Sequence, residues 1–146
     1  MNYYKKIKNE LINNEVYKKV KDYSKNRSDL NTYYKVGKLL NDAGKSYGEG
    51  IIKKYSMRLE IDLGKKYNER TLRRFRQFYN LFNKQKWSPL ATTLSWSHYC
   101  ELMAIKNINE MKYYIKIAEN QNLSKRKLRK RIKSVSYTHL RAHETR

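Results

Sequence analysis

Apolar residues along this chain recur at helical spacing, and the pattern is plainest at 67–82, YNERTLRRFRQFYNLF. Leu72, Phe75, Tyr79 and Phe82 stand at i, i+3, i+7 and i+10, so they share one face that needs a core. Arg70, Arg73, Arg74 and Gln77 occupy the opposite face at i, i+3, i+4 and i+7, a face that needs water or an anion. Asn68 is a good N-cap for this helix, with Tyr67 and Leu72 placed as a hydrophobic staple. Upstream, Ser46 and Glu49 have capping-box spacing and predict a helix over 47–63 that buries Ile51, Ile52, Tyr55, Leu59 and Leu63. Gly64 closes it. A helix, a glycine turn and a second helix with a basic outer face form the layout of a helix-turn-helix unit.

Before that unit, Ile12, Val16, Val20, Tyr23, Arg27, Leu30, Tyr34 and Gly37 follow steps of three or four, interrupted only by Arg27. One long helix with a coiled-coil-like seam is the simplest account, stopping at Asp42-Ala43-Gly44; the competing account breaks it near Ser28, which would cap a second helix. Beyond the arginine helix, 83–93 reads as a loop because Trp87-Ser88-Pro89 breaks any helix. A short helix over 94–104 follows, capped by Ser95 and burying Trp96, Tyr99 and Met103. Asn109 caps the next helix, with Met111, Tyr114, Ile115 and Ala118 as its stripe and Asn120-Gln121-Asn122 as its end. Ser124 then caps 125–133, where Leu123 and Leu128 repeat the staple spacing and only Leu128 and Ile132 are apolar. The expected fold is all-α, with a long first helix and helix-turn-helix-like units in one domain over 1–133.

Charge narrows the list of partners. Lys and Arg number 34 against 13 Asp and Glu, a formal net charge of +21 in 146 residues. Such an excess points to a polyanion: DNA, RNA or an acidic membrane surface. A genome poor in G and C would also supply Lys, Asn, Tyr and Ile without any binding purpose, but the arginines do not follow from that bias, and they cluster. Cys100 is the single cysteine, so there is neither a disulfide framework nor a thiolate zinc site. With no signal peptide and no apolar run able to span a bilayer, a cytoplasmic location is expected.

Several words in the chain resemble the N-terminal domain of the YhcG-like family, which precedes a PDDEXK-type nuclease domain in bacterial proteins. They are YYKVGKLL from Tyr33, the Tyr47-Gly48 helix start, TLRRFRQFYNLF from Thr71, LSWSHYCELM from Leu94 and YYIKIAENQNLSKRKLRKRI from Tyr113. The resemblance covers about 29–133 and implies a helical, helix-turn-helix-like DNA-binding module that delivers a nuclease to its target. One departure is Leu123, where the family prefers tryptophan. The last stretch, 134–146, SVSYTHLRAHETR, lacks the Lys and Asn abundant before it and is similar to a translated sequencing-adaptor remnant. It is expected to be a non-native or disordered tail, with the natural protein continuing past Lys133.

Catalytic chemistry is not expected in this stretch of chain. Glu110-Met111-Lys112 spells the E-x-K of a PDDEXK site, which uses carboxylates to hold Mg²⁺, but it falls at a helix start with no strand pattern nearby. His139 and His143 have metal-ligand spacing but belong to the tail, and His98 beside Cys100 reads as a helix-end histidine. Gly48 and Gly50 lack the residues that complete a phosphate loop. Mg²⁺ is expected only for the missing nuclease domain, and neither a cofactor nor a small-molecule substrate for this one.

The candidate nucleic-acid-binding residues are Arg70, Arg73, Arg74 and Gln77 as groove readers, with Lys125, Arg126, Lys127, Arg129, Lys130 and Arg131 as phosphate clamps. Arg76, nearer the apolar stripe, is expected to play a structural part or to touch phosphate at the edge. The expected partner is DNA. A protein-interaction module that dimerises through the first helix, and RNA binding, are the alternatives.

Overall fold

The computed structural model describes the backbone of residues 2–20, 25–85 and 94–144 and the side chains of residues 2–19, 28–83 and 94–134. Those residues form seven α-helices and a short 3-10 turn, with no strand among them: α1 (Tyr3–Val20), α2 (Lys25–Tyr47), α3 (Gly50–Asp62), the 3-10 turn Lys65–Tyr67, α4 (Glu69–Gln85), α5 (Trp96–Leu102), α6 (Ile108–Asn120) and α7 (Lys125–Glu144). The fold is all-α, as the spacing predicts. Two compact units divide it, Met1–Ala91 and Thr92–Arg146.

In the first unit α2 and α4 lie against each other at unusually short range. A Cβ placed on Gly37 would stand 2.1 Å from the Phe75 carbonyl oxygen and 2.8 Å from Cβ of Tyr79, so only glycine fits there. Around this close approach Leu30, Val36, Leu40 and Ala43 of α2 and Leu72, Phe75, Phe78 and Phe82 of α4 are buried. Aromatic rings fill the rest. Tyr33 stacks on Phe75 with centroids 4.3 Å apart and planes 13° apart, and Tyr34 meets Phe78 edge-on at 6.3 Å. The buried stripe of α4 is therefore Leu72, Phe75, Phe78 and Phe82; Tyr79, expected in it, is half-buried beside Tyr34 at 5.1 Å.

The long first helix is replaced by two. Residues 21–24 between α1 and α2 lie outside the described residues, as do the side chains of Val20 and Arg27. On α1 the buried positions are Tyr4, Ile7, Leu11 and Asn14, whereas Ile12 and Val16 of the expected seam are 36% and 56% exposed. The seam fails because the chain doubles back. Asn14 donates from Nδ2 to the Asp29 carboxylate at 2.9 Å and accepts from the Ser28 hydroxyl, and Lys18 pairs with Asp29 at 3.0 Å. These bonds satisfy a buried amide and bind α1 to the start of α2.

Two expected helix boundaries also move. α2 runs through Asp42-Ala43-Gly44, with Ala43 buried, and ends at Tyr47; Gly48 follows at φ 89°, its N–H bonded to the Gly44 carbonyl at 2.8 Å. The Ser46 and Glu49 capping box does not form, since Ser46 sits inside α2 and Glu49 makes no side-chain cap bond to α3. α3 buries Ile52, Tyr55, Ser56 and Leu59, leaving Ile51 and Leu63 half-buried. Gly64 at φ 130° then turns the chain into the 3-10 turn.

In the second unit three caps do most of the local work. Ser95 caps α5 through the His98 N–H, and the His98 ring completes a capping box by accepting from the Ser95 N–H. Since that backbone N–H can only donate, Nδ1 accepts, and Nε2 donates to the Leu123 carbonyl at 2.7 Å. α6 is capped by Asn107, whose Oδ1 accepts from the Asn109 and Glu110 N–H groups, so the expected cap at Asn109 moves two residues. Asn122 at φ 52° ends α6, with the Leu123 N–H bonded to the Ala118 carbonyl in a Schellman arrangement. The Ser124 hydroxyl accepts from the Lys127 N–H at 3.2 Å and starts α7. Leu102 is fully buried, Met103 nearly so, and Trp96 only half-buried; the expected α6 stripe of Met111, Tyr114, Ile115 and Ala118 is buried throughout.

Gly37→Ala is expected to destabilise the first unit by about 3 kcal/mol or more in urea unfolding, because the added methyl meets backbone. Gly50→Ala, with nothing within 4 Å, should change stability by less than about 1 kcal/mol. A second expectation concerns alkali. Burial and the bond to Asp62 push the Tyr4 phenol from its ordinary 10.0 up to about 12, and burial with nearby carboxylates drives Tyr33 and Tyr67 up as well. A raised phenol holds its proton more tightly when folded, so the stability it contributes is complete below pH 10 and drains away as pH climbs through the folded value. Phenolate absorbance recorded with circular dichroism should show these three tyrosines ionising only as the helices melt; independent ionisation before melting would contradict their burial.

Candidate nucleic-acid interface

The α4 face is oriented by bonds at both its start and its flank. The Asn68 side chain accepts from the Thr71 N–H at 3.0 Å, as the cap pattern predicts, while Tyr67 and Leu72 are both buried. Tyr67 also donates to Glu15 of α1 at 3.1 Å, and the same carboxylate takes Lys66 at 2.7 Å. Those two bonds, led by the one from Lys66, hold the Glu15 carboxyl below its ordinary range. With the inner face pinned, Arg70, Arg73 and Gln77 are exposed and Arg74 is half-buried.

Not all arginines of this helix are equivalent. Arg76 donates to Glu49 at 2.6 Å across the turn between α2 and α3, and this bond keeps the Glu49 carboxyl ionised below its usual range. That is where the expected capping-box glutamate went. Arg76 is structural, one of the two roles its position predicts. Arg73 reaches Glu69 one turn back at 3.2 Å, a solvent-exposed i, i+4 pair of small energetic weight. Arg70 and Arg74 pair with no carboxylate among the described residues.

α7 divides its cations in the same way. Arg129 donates through Nε and a terminal nitrogen to Glu101 of α5, at 3.0 Å for Nε, and Arg131 donates to Gln121 at the end of α6 at 2.9 Å. Both fasten α7 to its neighbours, with Leu128 buried beneath. Lys125, Arg126, Lys127 and Lys130 are exposed and make no ion pair among the described residues. The ten predicted residues thus fall on two surfaces, four on α4 in the first unit and six on α7 in the second.

The remaining candidates settle into ordinary places. Glu110 lies exposed in the first turn of α6, its N–H bonded to Asn107, so the E-x-K letters sit on a helix. His98 is a structural strut and Cys100 is half-buried. The side chains of His139 and His143, and all of Trp87-Ser88-Pro89, lie outside the described residues. Among the described residues no group of His, Cys, Asp and Glu is placed to hold a metal, and no helix is long and apolar enough to cross a membrane. Sequence reasoning missed a groove in the first unit where Tyr3, Tyr4, Tyr47 and Tyr55 converge with Lys54 and Arg58. The only hint of it along the chain is a local abundance of tyrosine.

These features define a class: a strongly basic, all-α protein with arginines and lysines on capped helices that have no carboxylate partner among the described residues. The chain belongs to the family of the DUF1016 N-terminal domain, whose model matches residues 6–139. That span is wider at both ends than the words that resemble the family, and at its end it reaches into the stretch read as foreign, through which α7 continues to Glu144. No curated protein and no solved structure shows a significant match to it.

Arg76→Ala should lower the thermal midpoint of the first unit, whereas Arg70→Ala should leave it unchanged, since only Arg76 bridges elements. Equal melting of the two variants would remove the distinction between anchoring and outward-facing arginines.

Proposed function

We propose that the protein is a DNA-binding targeting module, the part of a PDDEXK-type nuclease protein that carries the catalytic domain to its substrate. The observation that carries this reading is the α4 face: Arg70 and Arg74 stand without carboxylate partners among the described residues, on a helix capped by Asn68, held from behind by a close-packed core and preceded by a glycine turn. An exposed helix of this kind fits the major groove of B-form DNA, which admits an α-helix, better than the deep, narrow groove of A-form RNA. Arg73 and Gln77 extend the same face. Lys125, Arg126, Lys127 and Lys130 of α7 supply phosphate contacts, with Arg129 and Arg131 contributing from positions already anchored to Glu101 and Gln121.

A second reading draws on α1, where Ile12 and Val16 leave a short apolar strip exposed at i and i+4. Such a strip suits a second copy or a partner subunit, in place of the longer seam.

Duplex binding followed by fluorescence anisotropy across salt concentrations tests the first reading. The triple variant Arg70→Ala, Arg73→Ala, Arg74→Ala should weaken binding and flatten the plot of log affinity against log salt by roughly one unit for each phosphate that the variant no longer neutralises. Unchanged affinity and slope would take α4 out of the interface, and stronger competition by structured RNA would move the ligand to RNA. A salt-resistant dimer in light scattering, with no DNA affinity, would favour the α1 reading.

A further inference from the structure

The tyrosine groove sits where the start of α1, the end of α2 and the first turns of α3 meet, and its volume is about 480 Å³. That falls within the range of roughly 300–1,000 Å³ usual for small-ligand sites. Its walls are aromatic and cationic. Tyr3 and Tyr47 meet edge-to-face at 6.2 Å, Tyr4 and Tyr55 lie tilted at 53° with centroids 5.5 Å apart, and the Arg58 guanidinium lies 3.7 Å from the centre of the Tyr4 ring. Tyr4 and Tyr55 are buried, while Tyr47 is 58% exposed. Lys54 is exposed beside it.

Among the described residues no carboxylate lines the groove. Asp62, which accepts from the Tyr4 hydroxyl, is already paired with Lys8 at 3.4 Å. The groove therefore favours a flat π-system with negative charge attached and disfavours a cation. Ring faces beside lysine and arginine are how proteins hold unpaired bases, the rings taking the base and the cations the phosphate, with little sequence preference.

We propose that this groove is a nucleobase-stacking site for single-stranded nucleic acid, with the exposed Tyr47 ring stacking the base, Tyr3 supporting it edge-on, and Lys54 and Arg58 meeting the flanking phosphate. The site deepens the nucleic-acid reading and rests on it, but it uses residues that the α4 and α7 surfaces do not.

The test compares a labelled oligo-dT strand, a blunt duplex and free dTMP on the full chain. Tyr3→Ala with Tyr47→Ala should weaken single-strand binding roughly ten- to hundredfold while leaving duplex binding unchanged. Tyr3→Phe with Tyr47→Phe should bind the strand as the wild type does, because the ring faces remain. Lys54→Glu, at an exposed position, should weaken the strand and keep the helical content. Single-strand affinity unaffected by the alanine pair, or lost equally in the phenylalanine pair, overturns the proposal. So does dTMP binding as tightly as the strand, which would make the ligand a free nucleotide. If the wild type binds the strand through these tyrosines but binds no duplex, the groove stands and the α4 reading falls; if only the triple arginine variant matters, the reverse holds.

Discussion

The first unit depends on how closely α2 can approach α4. Gly37 brings the two backbones so near that a single added carbon would overlap the Phe75 carbonyl, and the stacked pair of Tyr33 and Phe75 exists because of that approach. Close packing on this side leaves the polar side of α4 no choice but to face outward. Arg70, Arg73 and Gln77 are therefore exposed as a consequence of what Leu72, Phe75, Phe78 and Phe82 bury. Orientation of the candidate interface and stability of the core are the same fact seen from two sides of one helix.

Charge is distributed with similar economy. With 34 cations and 13 acids, one-to-one pairing would still leave the net excess of 21 uncompensated. Several of the acids are placed where they join elements: Glu49 holds Arg76, Glu101 holds Arg129, Glu15 holds Lys66 and Tyr67, and Asp29 holds Lys18 and Asn14. Each pair keeps at least one partner partly in water and so adds only modestly to stability by itself. Their effect is to decide which cations are tied down, so that Arg70, Arg74, Lys125, Arg126, Lys127 and Lys130 remain uncompensated among the described residues. Such a surface is repulsive to itself and attractive to a polyanion.

Aromatic residues divide the same way between core and surface. Tyr33 and Tyr67 are buried with their hydroxyls near Asp29 and Glu15, which satisfies the polar tip while the ring packs. Tyr47 has no such enclosure, because α2 ends there and Gly48 turns the chain away. The end of α2 at Tyr47, residues Ile51 to Arg58 of α3 and the N-terminal turn of α1 together make the tyrosine groove, and α1 joins the other two from a distant part of the chain.

What the amino-acid order determined by itself was local. Helical periodicity, the Asn68, Ser95 and Ser124 caps, the α6 stripe and its end within Asn120-Gln121-Asn122 each depend on residues within one or two turns, and all were legible. The two arginine and lysine faces were legible for the same reason. Tertiary structure alone decided the rest. Spacing could not show that α1 doubles back through Asn14, which turns Ile12 and Val16 outward, nor choose between Asn107 and Asn109, two identical side chains of which only Asn107 has the extended backbone of a cap. It could not foresee that Glu49 leaves Ser46 for Arg76, since a capping box and an ion pair compete for one carboxylate and the partner is 27 residues away. Sequence spacing fixes which residues share a face; which face meets another helix, and at what distance, is settled only when the chain has folded back on itself and Gly37 has met Phe75.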